Sequence, residues 1–145
     1  MKNTTLSNRK NSAEIIFTVL LLLFVFFNIY TINAQPPKKW VSPAAAEQLK
    51  NPIPSDPNSL KEAKKLYISN CSPCHGNGGK GDGIASASVN PKPADHTSAA
   101  IQKESDGSLY WKLTEGRSPM PSYKQVLTDA QRWQLINFIR TLAKK

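Results

Sequence analysis

One short motif constrains this sequence of 145 residues more than any other feature. Cys71 and Cys74 are separated by two residues, and His75 follows immediately. Two thiols at this spacing can add across the two vinyl groups of haem and form thioether bonds. The next residue then lies under the iron, where a neutral imidazole nitrogen can ligate it. The motif therefore predicts covalent attachment of a c-type haem, with Cys71 and Cys74 as the thioether residues and His75 as an iron ligand.

The number of cysteines and histidines limits the alternatives to haem. The sequence contains two cysteines and two histidines, so no further thiol exists for a disulfide framework or a four-cysteine zinc site. A thioredoxin-like redox pair shares the Cys-x-x-Cys spacing, but it requires a strand before the motif. The residues before Cys71 have helical periodicity instead, which favours haem over zinc and over thiol redox chemistry.

The first 34 residues have the pattern of a secretory signal peptide. A basic segment precedes an almost continuous apolar run from Ile15 to Tyr30, and a small residue, Ala34, marks the expected cleavage site. An uncleaved membrane anchor is the alternative, although the run is a little short to span a bilayer. Both alternatives predict an exported protein, in the periplasm or on the outer face of the cytoplasmic membrane. Membrane contact is expected only where the segment stays uncleaved.

Residues 35–58 separate this segment from the predicted folded domain. They are rich in proline, which disfavours helix and favours an extended, semi-rigid chain. We therefore expect a linker or an arm lying over the surface of a domain at residues 59–145. A domain of this size is small for a self-sufficient core, so a bound haem should stabilise it and the form without haem should fold poorly.

Three amphipathic helices are predicted in the domain, and no alternating pattern indicates a strand. The first helix covers residues 59–70 with a capping box of Ser59 and Glu62, and it leads directly into the cysteine motif. The second covers residues 106–115, with Asp106 as N-cap and Gly116 after its end. The third covers residues 128–143, with a capping box of Thr128 and Gln131.

The loops between these helices hold the remaining candidate residues. The glycines of residues 76–83 satisfy Gly-x-Gly-x-x-Gly, but the lack of a βαβ context argues against a nucleotide site and favours a sharp turn beside a bulky ring. Pro119 and Pro121 hold Met120 in a stiff, extended segment, so its thioether is interpreted as a positioned group. His96 is the competing ligand, although its polar, loop-like setting suits an exposed residue.

With these features the sequence resembles class I c-type cytochromes over about residues 59–145. The resemblance rests on the helix before Cys-Ser-Pro-Cys-His, a Gly-Lys-Gly-Asp-Gly loop at 79–83, a Gly-Arg-x-Pro-Met-Pro segment at 116–121 and the amphipathic C-terminal helix. It implies a small all-α cytochrome c fold of three to four helices around one covalently bound haem c. It also implies His75 as proximal ligand, Met120 as distal ligand, and a carbonyl of Pro91 or Pro93 as hydrogen-bond acceptor for the proximal imidazole.

The resemblance implies a one-electron carrier rather than an enzyme, because His/Met ligation fills both axial positions of the iron. One alternative is a haem-bearing electron-transfer subunit of a larger membrane or periplasmic redox enzyme. The other is a ligand-binding haem sensor or small peroxidase, which requires an open distal position. The expected partners are therefore a redox protein donor and acceptor.

The charge of the chain bears on the partner. The formal net charge is +9, and a basic protein can bind an acidic protein, an anionic membrane surface or nucleic acid. Because the protein is expected to be exported, nucleic acid is the least favoured of these three partners. A solvated basic surface without a partner role is the plainer alternative. Four lysines are candidates for a ring around the exposed haem edge that would steer docking to an acidic surface: Lys80, Lys92, Lys112 and Lys124.

Overall fold

The computed structural model describes residues 12–25 and 39–143 of the chain. The described residues belong to two compact units, which are divided after Lys38. In the first unit, residues 12–25 form a helix, α1, whose apolar side chains are exposed. Among the described residues, no helix is both long and apolar enough to cross a membrane. The predicted cleavage site after Ala34 lies outside the described residues, so the signal peptide stays a prediction.

The second unit is built from helices and loops, which confirms the all-α prediction. Within residues 39–143 there is no β-strand, and an isolated bridge joins Arg117 to Met120. The two longest helices of this unit, α3 and α7, pack against each other, and α6 packs against both α2 and α7. The helices are α2 (Ala44–Glu47), α3 (Pro57–Asn70), α4 (Ser72–His75), α5 (Ala99–Gln102), α6 (Asp106–Glu115) and α7 (Asp129–Thr141), with a 3₁₀ turn at Ser86–Ser88.

Helix α3 begins earlier than its predicted capping box. The N-cap is Asp56, whose carboxylate accepts hydrogen bonds from the backbone N–H groups of Asn58 and Ser59. Pro57 takes the first helical position, where a missing N–H costs nothing because that group has no acceptor within the helix. Ser59 therefore lies inside the helix, and the prediction of Ser59 as its cap was wrong.

The predictions for α6 and α7 are closer to the structure. Helix α6 has the predicted bounds, but the Ser105 hydroxyl caps it instead of Asp106. Gly116 ends the helix with φ near +67°, a conformation that favours glycine. In α7 the capping box of Thr128 and Gln131 is confirmed in both directions.

The core lies between α3, α6 and α7. Tyr67, Leu135 and Ile136 are fully buried there. The rings of Tyr110 and Trp133 stack with centroids 3.9 Å apart, which ties α6 to α7. The other buried hydrophobic residues of this core are Ala63, Cys71, Leu109, Leu113, Tyr123, Leu127, Phe138 and Ile139.

The part of the proline-rich arm that the structure describes lies on these helices. The Ser42 hydroxyl donates to the Ser108 hydroxyl oxygen over 2.9 Å, in a buried contact with α6. The Asn51 side-chain amide donates to the Asn137 side-chain oxygen on α7, also over 2.9 Å. Because these bonds tether the arm, the second compact unit begins at Lys39, ahead of the expected domain boundary.

Candidate haem site

A cavity of about 360 Å³ opens between the arm, the cysteine motif and helices α6 and α7. Cys71, Cys74, His75 and Met120 all line it, so the structure brings the four predicted haem-binding residues to one space. Most of the remaining lining is apolar, which suits a large apolar ring. The apolar lining residues on α6 and α7 are Leu109, Leu113, Leu135, Ile136 and Ile139.

The cysteine motif is placed by a junction of two helices. Cys71 is both the C-cap of α3 and the N-cap of α4. Its carbonyl oxygen accepts hydrogen bonds from the N–H of Cys74, over 3.1 Å, and from the N–H of His75, over 2.8 Å. The two thiols and the imidazole therefore lie on a single helical turn that continues from α3.

The glycine-rich loop folds back over this turn. The N–H of Gly81 donates to the His75 carbonyl oxygen over 2.9 Å, and the N–H of Gly83 donates to the Cys74 carbonyl oxygen over 3.1 Å. Gly81 has φ near +76°, and a Cβ at Gly83 would collide with the Ser72 and Pro73 carbonyl groups. These glycines serve the sharp, close turn that the sequence predicted beside the motif.

His75 has a fixed tautomer. Its Nδ1 lies 2.9 Å from the Ala94 carbonyl oxygen, and since a carbonyl can only accept, Nδ1 donates its proton there. The lone pair of Nε2 is then left for a metal. Burial lowers the pKa of His75, against the smaller opposing effect of the Ala94 hydrogen bond, so the imidazole is held neutral.

The carbonyl that His75 contacts differs from the expected one. Pro91 and Pro93 both line the cavity, but the acceptor is Ala94, the residue after Pro93. The Pro93 carbonyl oxygen faces Gly81 instead, where an added Cβ would lie 2.5 Å from it. The assignment of this hydrogen bond to Pro91 or Pro93 was therefore wrong by one position along the loop.

His96 is half-buried, contrary to the expectation that it is exposed. Its ring stacks on His75 with centroids 4.0 Å apart and a 19° angle between the planes. Burial, with a smaller contribution from His75, lowers the pKa of His96 to about 3. The neutral Nδ1 lies 3.0 Å from the Tyr67 hydroxyl. The polar neighbours that suggested exposure form a turn, in which the Asp95 carboxylate accepts from the N–H of Thr97 over 2.8 Å.

The thiol of Cys71 has the wrong acidity for a redox pair. Burial raises its pKa to about 12, and the neighbouring Cys74 adds to the shift. A reactive redox cysteine instead has a lowered pKa, so that the thiolate is populated near neutral pH. The thioredoxin-like alternative therefore finds no support in this environment.

Met120 lies at the end of a tight turn, in an isolated β-bridge with Arg117. Arg117 and Met120 exchange two backbone hydrogen bonds, of 3.0 and 2.8 Å, around Ser118 and Pro119. The Ser122 hydroxyl donates to the Thr114 carbonyl oxygen over 2.6 Å and ties the chain after the turn to α6. This turn holds the half-buried Met120 side chain at the cavity, and the prediction of an extended segment fails at Ser118 and Pro119, which form the turn.

We expect Gly116→Ala to destabilise the haem-loaded protein by roughly 1–3 kcal/mol, because an added Cβ strains a backbone conformation reserved for glycine. That Cβ would lie 2.5 Å from the Ser122 nitrogen and 2.6 Å from the Pro121 carbonyl carbon. Denaturant unfolding of the haem-loaded protein measures the effect. Gly78→Ala is the matched control, since a Cβ there meets nothing within 4 Å. Equal losses in both variants would contradict the prediction.

The structure also separates the four lysines proposed for docking. Lys112 is only 13% exposed and its ammonium donates to the Glu104 carboxylate over 2.6 Å, so its assignment to a docking ring was wrong. Lys80, Lys92 and Lys124 are exposed. Lys112 instead lines the cavity.

Comparison with known proteins agrees with the fold and the cavity. Residues 58–139 match the family described as cytochrome C oxidase, cbb3-type, subunit III. A chain of the Kuenenia stuttgartiensis reducing HAO-like protein complex Kustc0457/Kustc0458 is 27% identical with a TM-score of 0.60, covering 78% of this chain and 54% of that one. The KustC0563 c-type cytochrome is 26% identical with a TM-score of 0.50, covering 57% of this chain and 98% of that one. No curated protein matches the sequence.

These findings agree on a c-type cytochrome, in which covalently bound haem c serves electron transfer. The family match covers more than half of the chain and includes the motif, most of the residues that line the cavity and most of α7. This chain spans about half the length of the Kuenenia stuttgartiensis chain to which it is similar. The protein belongs to the c-type cytochrome family described as cytochrome C oxidase, cbb3-type, subunit III.

Proposed function

We propose that this protein is a single-haem electron carrier in which His75 and Met120 are the axial ligands of the iron. The observation that carries the proposal is the cavity, which both residues line together with the two cysteine thiols. The sequence has one Cys-x-x-Cys-His motif, which supports one haem. When bound, the haem supplies a ferric–ferrous couple, and a thioether ligand favours the ferrous state and raises the potential.

The residues around the cavity prepare both ligands. The Ala94 carbonyl fixes the tautomer of His75 and increases the basicity of its Nε2. The Arg117–Met120 turn holds the thioether in place, and the apolar side chains of α6 and α7 limit the access of water. If His75 and Met120 both bind the iron, no position would remain for oxygen or peroxide, which supports a carrier over a sensor or peroxidase.

The proposal also covers the cellular location of the protein and its redox partners. The signal-peptide pattern of the first 34 residues supports export to the periplasm or the outer face of the cytoplasmic membrane. The partners are a redox protein donor and acceptor, and the net charge of residues 35–145, which is +7 from 16 basic and 9 acidic residues, supports an acidic docking surface on at least one of them. Lys80, Lys92 and Lys124 remain as the exposed lysines for that contact.

A second candidate is a haem-bearing subunit of a larger redox enzyme. Two observations favour it: the matching family is described as a subunit of an oxidase, and one similar structure is part of an HAO-like protein complex. The same haem chemistry serves both functions. Size-exclusion chromatography of the native protein separates them, because a carrier elutes as a small monomer and a subunit elutes with its complex.

Absorption spectroscopy of the purified protein tests the site. We expect one haem per chain by pyridine haemochrome assay, low-spin iron in both oxidation states, and the ferric sulfur-to-iron charge-transfer band of a methionine ligand. Carbon monoxide should not displace the ligand readily from ferrous iron. A high-spin ferric spectrum with rapid binding of carbon monoxide would instead assign the protein to the sensor or peroxidase class.

A further inference from the structure

The lining of the haem cavity has an excess of positive charge. Among the described residues that line it, the cations are Lys39, Lys92, Lys112 and Arg117, and the lone carboxylate is Glu104. Four positive charges against one negative charge leave an excess of three. The cavity therefore suits a ligand that is apolar over most of its surface and anionic at one edge. Haem has this character, since its two propionate carboxylates lie on the pyrrole rings opposite those that carry the vinyl groups.

Trp40 of the arm holds two of these cations together. The Arg117 guanidinium carbon lies 4.8 Å from the centroid of the Trp40 ring, and the Lys112 ammonium lies 5.7 Å from it. The edge of Trp111 supports the same ring, with centroids 6.4 Å apart. Cation–π contacts of this kind hold a guanidinium over a ring face, and because a guanidinium has several N–H donors it can bind a carboxylate in addition to its other partners.

A chain of hydrogen bonds connects the arm to Lys112, one of these two cations. The Ser42 hydroxyl donates to Ser108 over 2.9 Å, and the Ser108 hydroxyl donates to the Glu104 carboxylate over 2.8 Å. That carboxylate accepts from the Lys112 ammonium over 2.6 Å. The arm also packs closely on α6, since a Cβ at Gly107 would collide with its backbone. Trp40 therefore lies at the cavity on a segment that is anchored two residues later, at Ser42.

We propose that the arm is a strap over the propionate edge of the haem, and that Trp40, Lys112 and Arg117 form the binding site for the propionate carboxylates. This inference rests on the proposed haem site and adds residues to it that lie outside the cysteine motif and the axial ligands. Arg117 provides the bidentate donor. Lys112 shares its charge between Glu104 and a propionate, and Trp40 excludes water from both contacts.

Arg117→Gln tests the charge. Removing a cation beside the haem disfavours the added electron, so we expect the ferric–ferrous equilibrium constant to shift at least threefold toward ferric iron. The resonance Raman bending modes of the propionates should move in the same variant. Arg117→Lys keeps the charge and should show less than half of the potential shift. The exposed Lys124, which does not line the cavity, provides the matched control Lys124→Gln, expected to change the equilibrium less than 1.5-fold, about the size expected of a screened surface charge.

Trp40→Ala tests the strap. Loss of the ring should move the same propionate Raman modes and shift the equilibrium constant at least twofold toward ferric iron, because water then reaches the propionate edge. Trp40→Phe keeps an aromatic face and should restore most of both signals. The neighbouring Val41 is exposed and does not line the cavity, so Val41→Ala should leave both signals unchanged.

The outcomes separate this inference from the proposed function. Equal potential shifts in Arg117→Gln and Lys124→Gln, or unchanged propionate modes in Trp40→Ala, would overturn the inference. Loss of the sulfur-to-iron band in Arg117→Gln with unchanged propionate modes would also overturn it, because Arg117 would then act through Met120. Wild-type protein that lacks the sulfur-to-iron band would defeat the proposed ligation, whereas the propionate modes would still report on Trp40 and Arg117.

Discussion

Replacing both cysteines, in Cys71→Ala/Cys74→Ala, should abolish covalent haem attachment and most of the stability of the folded unit. The physical reason is the cavity of about 360 Å³ that the haem is proposed to fill. The cavity is open, so without haem water would enter it and reach apolar side chains that the haem would otherwise cover, at about 25 cal/mol for each Å² of apolar surface left in water. The unfolding free energy of a small domain is only about 5–15 kcal/mol, so such a domain tolerates little loss of this kind. The protein without haem should therefore collapse or unfold.

Two measurements check this prediction. On a denaturing gel the double variant should lose the haem stain that the wild type keeps, and far-ultraviolet circular dichroism should show reduced helix with no cooperative thermal transition. The single variants Cys71→Ala and Cys74→Ala are the matched controls, because each retains one thiol for one thioether bond. A cooperative, fully helical double variant without haem would show that the core of α3, α6 and α7 is sufficient alone.

The parts of the fold that depend on neighbouring residues could be predicted from the sequence. The capping box of α7 needs only Thr128 and Gln131, and the end of α6 needs only Gly116, so local patterns identified both. The start of α3 shows the limit of this reasoning. Asp56 and Ser59 are both good N-cap residues, and proline at the first helical position decides between them.

The parts of the site that depend on distant residues could not be predicted. The Ala94 carbonyl lies next to His75 because of the path that a long loop takes. A shift of one residue along this loop would bring a different carbonyl to the imidazole. His96 is half-buried beside Tyr67, which lies far away in the sequence on α3, and the polar residues next to His96 bond to one another in their own turn. The position of Trp40 likewise depends on where the arm docks, through bonds such as Ser42 to Ser108. Local sequence patterns contain none of this information.

His96 and Met120 were the two candidates for the second iron ligand, and the structure places them differently. His96 stacks directly on His75, with ring centroids 4.0 Å apart. A ring packed against the proximal imidazole lies beside that ligand and is poorly placed to bind the opposite face of the haem. Met120 lines the same cavity from the separate turn that follows α6. The geometry therefore supports Met120 as the distal ligand over His96.

Met120→Ala should consequently convert a closed site into an open one. We expect loss of the ferric sulfur-to-iron band, a high-spin ferric spectrum, and a midpoint potential lower by on the order of 0.1 V, since axial ligands set haem potentials over a wide range. Ferrous carbon monoxide binding should become rapid. Redox titration followed by absorption spectroscopy measures these changes in one preparation.

His96→Ala is the control for this prediction, and it should keep the sulfur-to-iron band and low-spin iron. Adding dimethyl sulfide to Met120→Ala should restore part of the band, because it returns a thioether to the vacated position. Low-spin iron and an unchanged potential in Met120→Ala would rule out Met120 as the ligand. Loss of the band in His96→Ala alone would show that the imidazole stack, and not the turn at Met120, decides whether the thioether reaches the iron.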